Sequence, residues 1–452
     1  MPDYEATPQV TDPNTILLYG NYYRIKGPVQ VGFAQSPPVR RRFTISDVTG
    51  GIGVYRYRDA NRERNRSWIE QNTDTLTPYN STLGPLATSS SKPSGETNTV
   101  DVITALSGTI IVCFGAKVFN LTPPSTWSAL IDTLPAAPID DVWFNSRIFY
   151  ALGASGYSYQ ATAGGVATDV ATPTVQSFVE WDSRLWSMDT SGVLRWSSTG
   201  NSAAWTNKAT IPIQDLTDVE LRVYDDSNGD PTIWALTPYG PWIYDAISDK
   251  WFAARFQFPF FDRLFTGRGM GTTFRNHLIV KGVDAKLYRL TMTGSSLDVK
   301  DISPGSPGGL PVAFSGEIKA FEADNDLLFV MLGNSNTVAS INWTILAGKE
   351  IFTESGSDIA WHPIYVNTTP NTTEPLTMAI LSGSNGHRLY FHDNNVTDGH
   401  IVRFIDLVDL KEAPVNSTTK TYTAGGTGVA SLIEYPYFDG EEPGKQEWQK
   451  VA

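Results

Sequence analysis

Two stretches of this chain follow one plan. FNSRIFYALGASGYSYQAT (residues 144–162) and WDSRLWSMDTSGVLRWSST (residues 181–199) both read aromatic, Asn or Asp, Ser, Arg, four strand-forming residues, a Ser-Gly turn and a second strand. Glycine at such a turn supplies the positive φ that a tight hairpin requires. Looser copies of the two-strand shape occur at 106–122, 224–251, 274–292, 324–344 and 384–405, making seven hairpin-centred units between about residues 100 and 430. Helical periodicity is nearly absent. A repeat of ~40–50 residues carrying about four short strands is the pattern of a propeller blade. A single blade buries neither of its faces, whereas blades packed radially cover one another with aromatic and β-branched side chains. The expected fold is therefore all-β: a β-propeller of about seven blades, with six or eight as neighbouring counts. A pair of β-sandwiches or a β-helix is the rival architecture.

The packing that such repeats demand is assigned to eight tryptophans, Trp143, Trp181, Trp186, Trp196, Trp205, Trp234, Trp242 and Trp251. Gly156, Gly192, Gly240 and Gly282 are assigned to hairpin turns. The chain holds 13 Trp, 19 Tyr and 21 Phe, which excludes a disordered polymer. No run of ~18 apolar residues is present, so no membrane-spanning helix is expected. The opening MPDYEATPQVTDP is acidic and polar, unlike a secretory leader. A single cysteine, Cys113, leaves no internal disulfide and reads as a small buried hydrophobe.

Charge divides the chain. Net charge is −13, yet residues 1–70 carry ten Lys/Arg against seven Asp/Glu, while residues 71–452 carry 24 against 40. Residues 1–99 read as an arm with one hairpin candidate (15–33), a docking segment, and a Ser/Thr/Pro-rich linker over 71–99. Residues 100–430 read as the propeller, and 431–452 as a strand that opens a further β element or pairs with an earlier segment. The arm holds Arg40, Arg41, Arg42, Arg56, Arg58, Arg62, Arg64 and Arg66. Asp59 and Glu63 inside this run, and the acidic bulk behind it, argue against a general nucleic-acid binder. Docking on an acidic protein neighbour fits the asymmetry better, with an ordinary solvated face as the alternative.

Signals for chemistry are sparse. His387 and His392 lie five apart on a strand-like run and so point to opposite faces. The remaining histidines, His277, His362 and His400, show no metal-ligand spacing. DDSNGD (225–230) lacks the calcium-loop spacing and reads as a turn. GRGMG (267–271) has no following helix to hold a phosphate. Eight N-x-S/T triplets are present where ~5 would arise by chance in a chain so rich in Ser and Thr, and without a secretory leader they read as incidental. Propellers that cleave glycosides need paired carboxylates; Asp141, Glu180, Asp182, Asp215 and Glu220 are the candidates here. Asp182 occupies a slot that recurs as Asn145 and Asn276, which suits a turn residue rather than a catalyst. No catalytic, metal-binding or cofactor-binding residue is assigned, and no cofactor is expected.

The aromatic-x-S-R-L-W strands, the degenerate S-x-x-G-x-x-x-x-W-T turn from Ser197 to Thr206, and the late EYPYFDGEEPGKQEWQKVA element resemble propeller proteins of tailed-bacteriophage virions. The resemblance covers residues 100–452. It implies a non-enzymatic structural protein of a tail or neck, partnered by other virion proteins and by copies of itself in a ring. It implies no sequence-specific nucleic-acid binding, and at most passive contact with DNA in a conduit. The rivals are a carbohydrate-binding or glycoside-cleaving attachment appendage and a cellular interaction hub of the WD-repeat kind. Trp-Asp occurs once (181–182) and Gly-His twice (386–387 and 399–400), without the period that the last reading requires.

Overall fold

The computed structural model describes residues 15–18, 21–24, 69–71, 73–74, 82–83 and 432–434 as separate strands. Between residues 87 and 407 it describes all but 107, 163–164, 202–203, 214–215, 217, 227, 255–268, 283–285, 294–295, 305–315, 334–342, 354–355, 368–376, 384–385 and 396–398. The chain divides into two units, Met1–Ser46 and Asp47–Ala452. The first contains a hairpin of Thr15–Leu18 with Asn21–Arg24, in the register Leu18↔Asn21.

The second unit is a seven-bladed β-propeller. The inner, second, third and outer strands of blade 2 are Asp140–Phe144, Arg147–Ala151, Tyr157–Gln160 and Ala167–Val170; those of blade 3 are Ser177–Trp181, Arg184–Met188, Val193–Ser197 and Thr206–Thr210. Blades 4, 5 and 6 repeat this order from the inner strands Glu220–Asp225, Gly271–Phe274 and Glu317–Ala323. Blade 1 begins at Val100–Leu106 and carries an additional short strand, Asp132–Thr133, on its third strand. Each inner strand lies beside the next around the axis, and the circle closes between Met378–Gly383 of blade 7 and Val100–Leu106 of blade 1. Blade 7 supplies three strands from its own sequence, Met378–Gly383, Gly386–Asn395 and Gly399–Asp406. Its fourth is Thr88–Ser89, from the stretch expected to be linker.

The repeated Asn/Asp slot has a geometric cause. The first hairpin of blade 2 turns on Asn145 and Ser146 (φ 49° and 61°), that of blade 3 on Asp182 and Ser183 (51° and 56°), and that of blade 5 on Arg275 and Asn276 (48° and 60°). Two consecutive residues at positive φ define the tight hairpin turn whose twist matches its strands, and Asn and Asp tolerate that region better than most side chains. Gly156, Gly192 and Gly240 also have positive φ at turns, whereas Gly282 follows the second strand of blade 5 without it.

Seven apolar clusters fill the seven blade junctions. Trp186 and Trp251 are buried between blades 3 and 4, with Trp181, Trp196 and Trp242 partly buried against them. Trp234 is fully buried between blades 4 and 5. Trp205 packs at the blade 2–3 junction, stacked on Phe178 with ring centroids 6.4 Å apart. Trp143 is the correction: it is 40% exposed, while Phe144 beside it is 2% exposed. In register, Phe144↔Arg147 corresponds to Trp181↔Arg184, so Trp143 occupies the outward position of Glu180. Alternation along a strand sends adjacent side chains to opposite faces. Trp343 and Trp361, outside the expected set, are both buried in later junctions.

Candidate functional site

Polar side chains on the inner strands meet around the axis of the ring. Thr104 Oγ1 of blade 1 donates to Asp141 Oδ2 of blade 2 at 2.5 Å. Asp140 Oδ2 accepts from Ser177 Oγ at 2.6 Å and from the Phe178 amide at 2.9 Å, both in blade 3. Ser177 Oγ in turn accepts the Leu221 amide of blade 4 at 3.0 Å. Glu220 accepts the Met270 amide at 2.6 Å and the Gly271 amide at 3.4 Å, reaching blade 5. Arg222 forms an ion pair with Glu220, and its Nε donates to the Gly271 carbonyl at 2.7 Å. Five consecutive blades are thus tied at their inner edges by hydrogen bonds that each involve a side chain.

The site concentrates charge in a poorly solvated place. Burial pushes the Glu220 carboxyl up, against the pull of Arg222 and two backbone amides. Burial likewise raises Glu322, on the inner strand of blade 6, to about 7; Arg222 opposes this, and Asp141 and Glu220 add to it. Lys281 is buried and held down to about 8, first by desolvation and then by Lys319. The arrangement can hold the blades in register, and it keeps one carboxyl, Glu322, titrating near neutrality.

The four described carboxylates of the five singled out by sequence fall into two places. Asp141 and Glu220 are on the inner strands and engaged as above. Glu180 and Asp182 are exposed at the first hairpin of blade 3, where Arg184 approaches Asp182 at 3.9 Å. Asp215 lies outside the described residues, as do all eight arm arginines: Arg40, Arg41, Arg42, Arg56, Arg58, Arg62, Arg64 and Arg66. Glu322 lies on Glu317–Ala323, one strand before the hairpin unit 324–344, so the repeat pattern does not reach it. An irregularity in register between Ile318 and Ala320 breaks the alternation of EIKAFEA, so period-two patterning does not mark this inner strand.

Other singled-out motifs prove to be turns. Asp226 Oδ1 accepts the amides of Asn228 (2.7 Å) and Asp230 (3.1 Å), closing the loop of DDSNGD on itself. In the Ser197–Thr206 turn, Ser197 Oγ accepts the Gly200 amide at 2.9 Å. Gly200 (φ 75°) presses against Phe149, and its carbonyl accepts the Tyr157 hydroxyl proton at 2.8 Å. Trp205 Nε1 donates to the same Tyr157 oxygen at 3.0 Å. His387 pairs with Asp324 of blade 6 at 3.1 Å, while His392 meets His400. Among the described residues, no three His, Cys, Asp or Glu side chains are grouped to hold a metal ion.

No protein-family model matches the sequence, and no curated protein matches it. Solved structures do match in shape. RRP9 WD40 repeats align over 75% of this chain and 99% of theirs, with a TM-score of 0.48 and 6% identity. The WD40 beta propeller domain of Doa1 aligns over 71% of this chain and 97% of its own, with a TM-score of 0.46 and 11% identity. A chain of the Mitotic Checkpoint Complex aligns over 72% of this chain and 94% of its own, with a TM-score of 0.47 and 11% identity. At such identities the likeness concerns the fold alone.

Proposed function

We propose that this chain is a non-enzymatic structural protein, of the kind that tailed-bacteriophage tails and necks employ, and that it docks into a symmetric assembly with other virion proteins and with copies of itself. One observation carries the reading. Ile69–Gln71, before the propeller, pairs antiparallel with Leu432–Glu434, after it, in the register Ile69↔Glu434. The two ends of the ring's chain are therefore joined in a two-stranded neck, whose first strand lies beside Gly356–Asn367, the outer strand of blade 6. Such a neck suits a disk presented on a larger body. The clamped inner edge supports the same role, since Asp140 and Glu220 each hold a backbone amide of the next blade. The arm arginines would contact an acidic neighbour, and DNA in a conduit would meet the acidic propeller only passively.

Light scattering and electron microscopy of the purified full chain, alone and with particles, test this. The reading expects rings or particle-bound copies. It also expects that reversing Arg62, Arg64 and Arg66 to Glu abolishes assembly while leaving the fold intact. A stable monomer that releases sugars from a host polysaccharide would overturn it in favour of a glycan-cleaving appendage.

A further inference from the structure

Blade 7 is where the ring is sewn shut by chain from upstream of blade 1, and a histidine pair sits on that seam. His392, on the strand Gly386–Asn395, is fully buried. Its Nε2 lies 3.0 Å from Nδ1 of His400, on the neighbouring strand Gly399–Asp406. Opposite His392 in register is Val402. Val402 is also the residue that holds the upstream segment: its carbonyl accepts the Ser90 amide at 2.8 Å, and its amide donates to the Ser91 carbonyl at 3.1 Å. Lys92 follows directly, and a Cβ placed on Gly399 would lie 3.3 Å from its ammonium nitrogen.

The tautomer follows from burial. Among the described residues, Nδ1 of His392 has no hydrogen-bond partner. A buried N–H without an acceptor is the costlier orphan, so the proton sits on Nε2 and is donated to His400 Nδ1. We infer that this pair is an acid-sensitive latch on the seam that closes the ring. When His400 takes a proton on Nδ1, that nitrogen becomes a donor, and two N–H groups then face each other across 3.0 Å. The contact survives only if His392 releases its Nε2 proton and carries one on Nδ1, where no described acceptor waits. Otherwise the pair separates, and Val402 with it.

The surrounding groups set the direction. His400 feels Lys92 from the upstream segment and Asp101 from the inner strand of blade 1. Burial and Lys92 lower its pKa, and Asp101 opposes them. His392 is lowered to about 3 by burial and by His400. Tyr390, two residues along the same strand, has its phenol raised by burial and stays neutral. The strand Met378–Gly383 brings no titratable side chain. Asp393 and Arg403 pair on the other face of the blade. Among the described residues, the Asp101 carboxylate is what opposes the lowering of His400, and burial and Lys92 outweigh it.

Hydrogen–deuterium exchange of the full chain at pH 7.5 and pH 5, corrected for intrinsic rates, tests the latch. Peptides covering 88–92 and 399–406 should lose at least ~fivefold protection at pH 5, the lower end of the effect of an orphaned buried donor. Strands of blade 3 should change little. In His400→Gln, whose amide oxygen still accepts from His392 but does not titrate, the loss should vanish. Nitrogen-15 spectra of the wild type should show His392 as the Nε2–H tautomer at pH 7.5. A seam whose protection does not change, an equal loss in His400→Gln, or the Nδ1–H tautomer would each overturn the latch. If His400→Gln fails to fold, the two wild-type measurements decide.

Discussion

Glu322 offers a quantitative test of the channel electrostatics. Its carboxyl titrates at about 7 in the folded chain, against an ordinary 4.5, chiefly because burial penalises the charged form. Between these values the native state holds a proton that the unfolded chain has released. Stability contributed at this site is therefore full below pH 4.5, falls as pH rises toward 7, and is absent above it. At ~1.4 kcal/mol per pKa unit the shift corresponds to an upper bound of roughly 3 kcal/mol. Glu322 is only partly shielded from solvent, so screening reduces this to about 1–2 kcal/mol. Glu322→Gln keeps the shape and removes the charge. Urea midpoints, followed by tryptophan fluorescence, should show the variant more stable than wild type at pH 8 by about that amount and nearly equal to it at pH 4. Histidine titrations affect both proteins alike and cancel in the difference. A variant-to-wild-type difference that is the same at both pH values would refute the argument that a buried, like-charged environment raises this carboxyl.

Other substitutions separate packing from exposure. Trp234→Ala should cost about 3–5 kcal/mol in denaturant stability, whereas Trp143→Ala should stay within about 0.5 kcal/mol. Gly200→Ala places a Cβ 2.3 Å from Phe149 Cε1 at a φ of +75°; a loss of about 2 kcal/mol or more by urea titration is expected. Glu220→Ala strips the acceptor from two amides and leaves Arg222, whose side chain is one third exposed, without its carboxylate partner. A loss of about 2–3 kcal/mol is expected, mainly from the orphaned amides, and a double-mutant cycle with Arg222→Met should recover part of it.

The blades were legible because their signal is local. Aromatic residues, Ser-Gly turns and the Asn/Asp slot lie within one hairpin, and the two-residue turns at Asn145–Ser146 and Asp182–Ser183 reuse the same chemistry. What sequence obscured was relational. Trp143 and Phe144 are adjacent aromatics, and only strand register decides which faces the core. Glu322 becomes notable only when Asp141 and Glu220 are brought round the axis from other blades. Thr88–Ser89 is too short and polar to announce a strand; it is one because Gly399–Asp406 offers it an edge. The His392–His400 pair is invisible to spacing along one strand, because the contact runs between two.

The fourth strand of blade 7 has a consequence for synthesis. Thr88–Ser89 leaves the ribosome before any blade exists, yet its partner strand ends at Asp406, about 300 residues later. At ~5–20 residues per second, roughly 15–60 s separate the two. During that interval the six earlier blades can form and stack while the ring stays open. The growing chain is an arc with two unsatisfied faces, and every apolar junction except the last two is already shielded when the final hairpin arrives. Completion is then a single event, in which the blade 7 hairpin inserts between blades 6 and 1 and captures a strand that has been waiting since the first seconds of the chain's life.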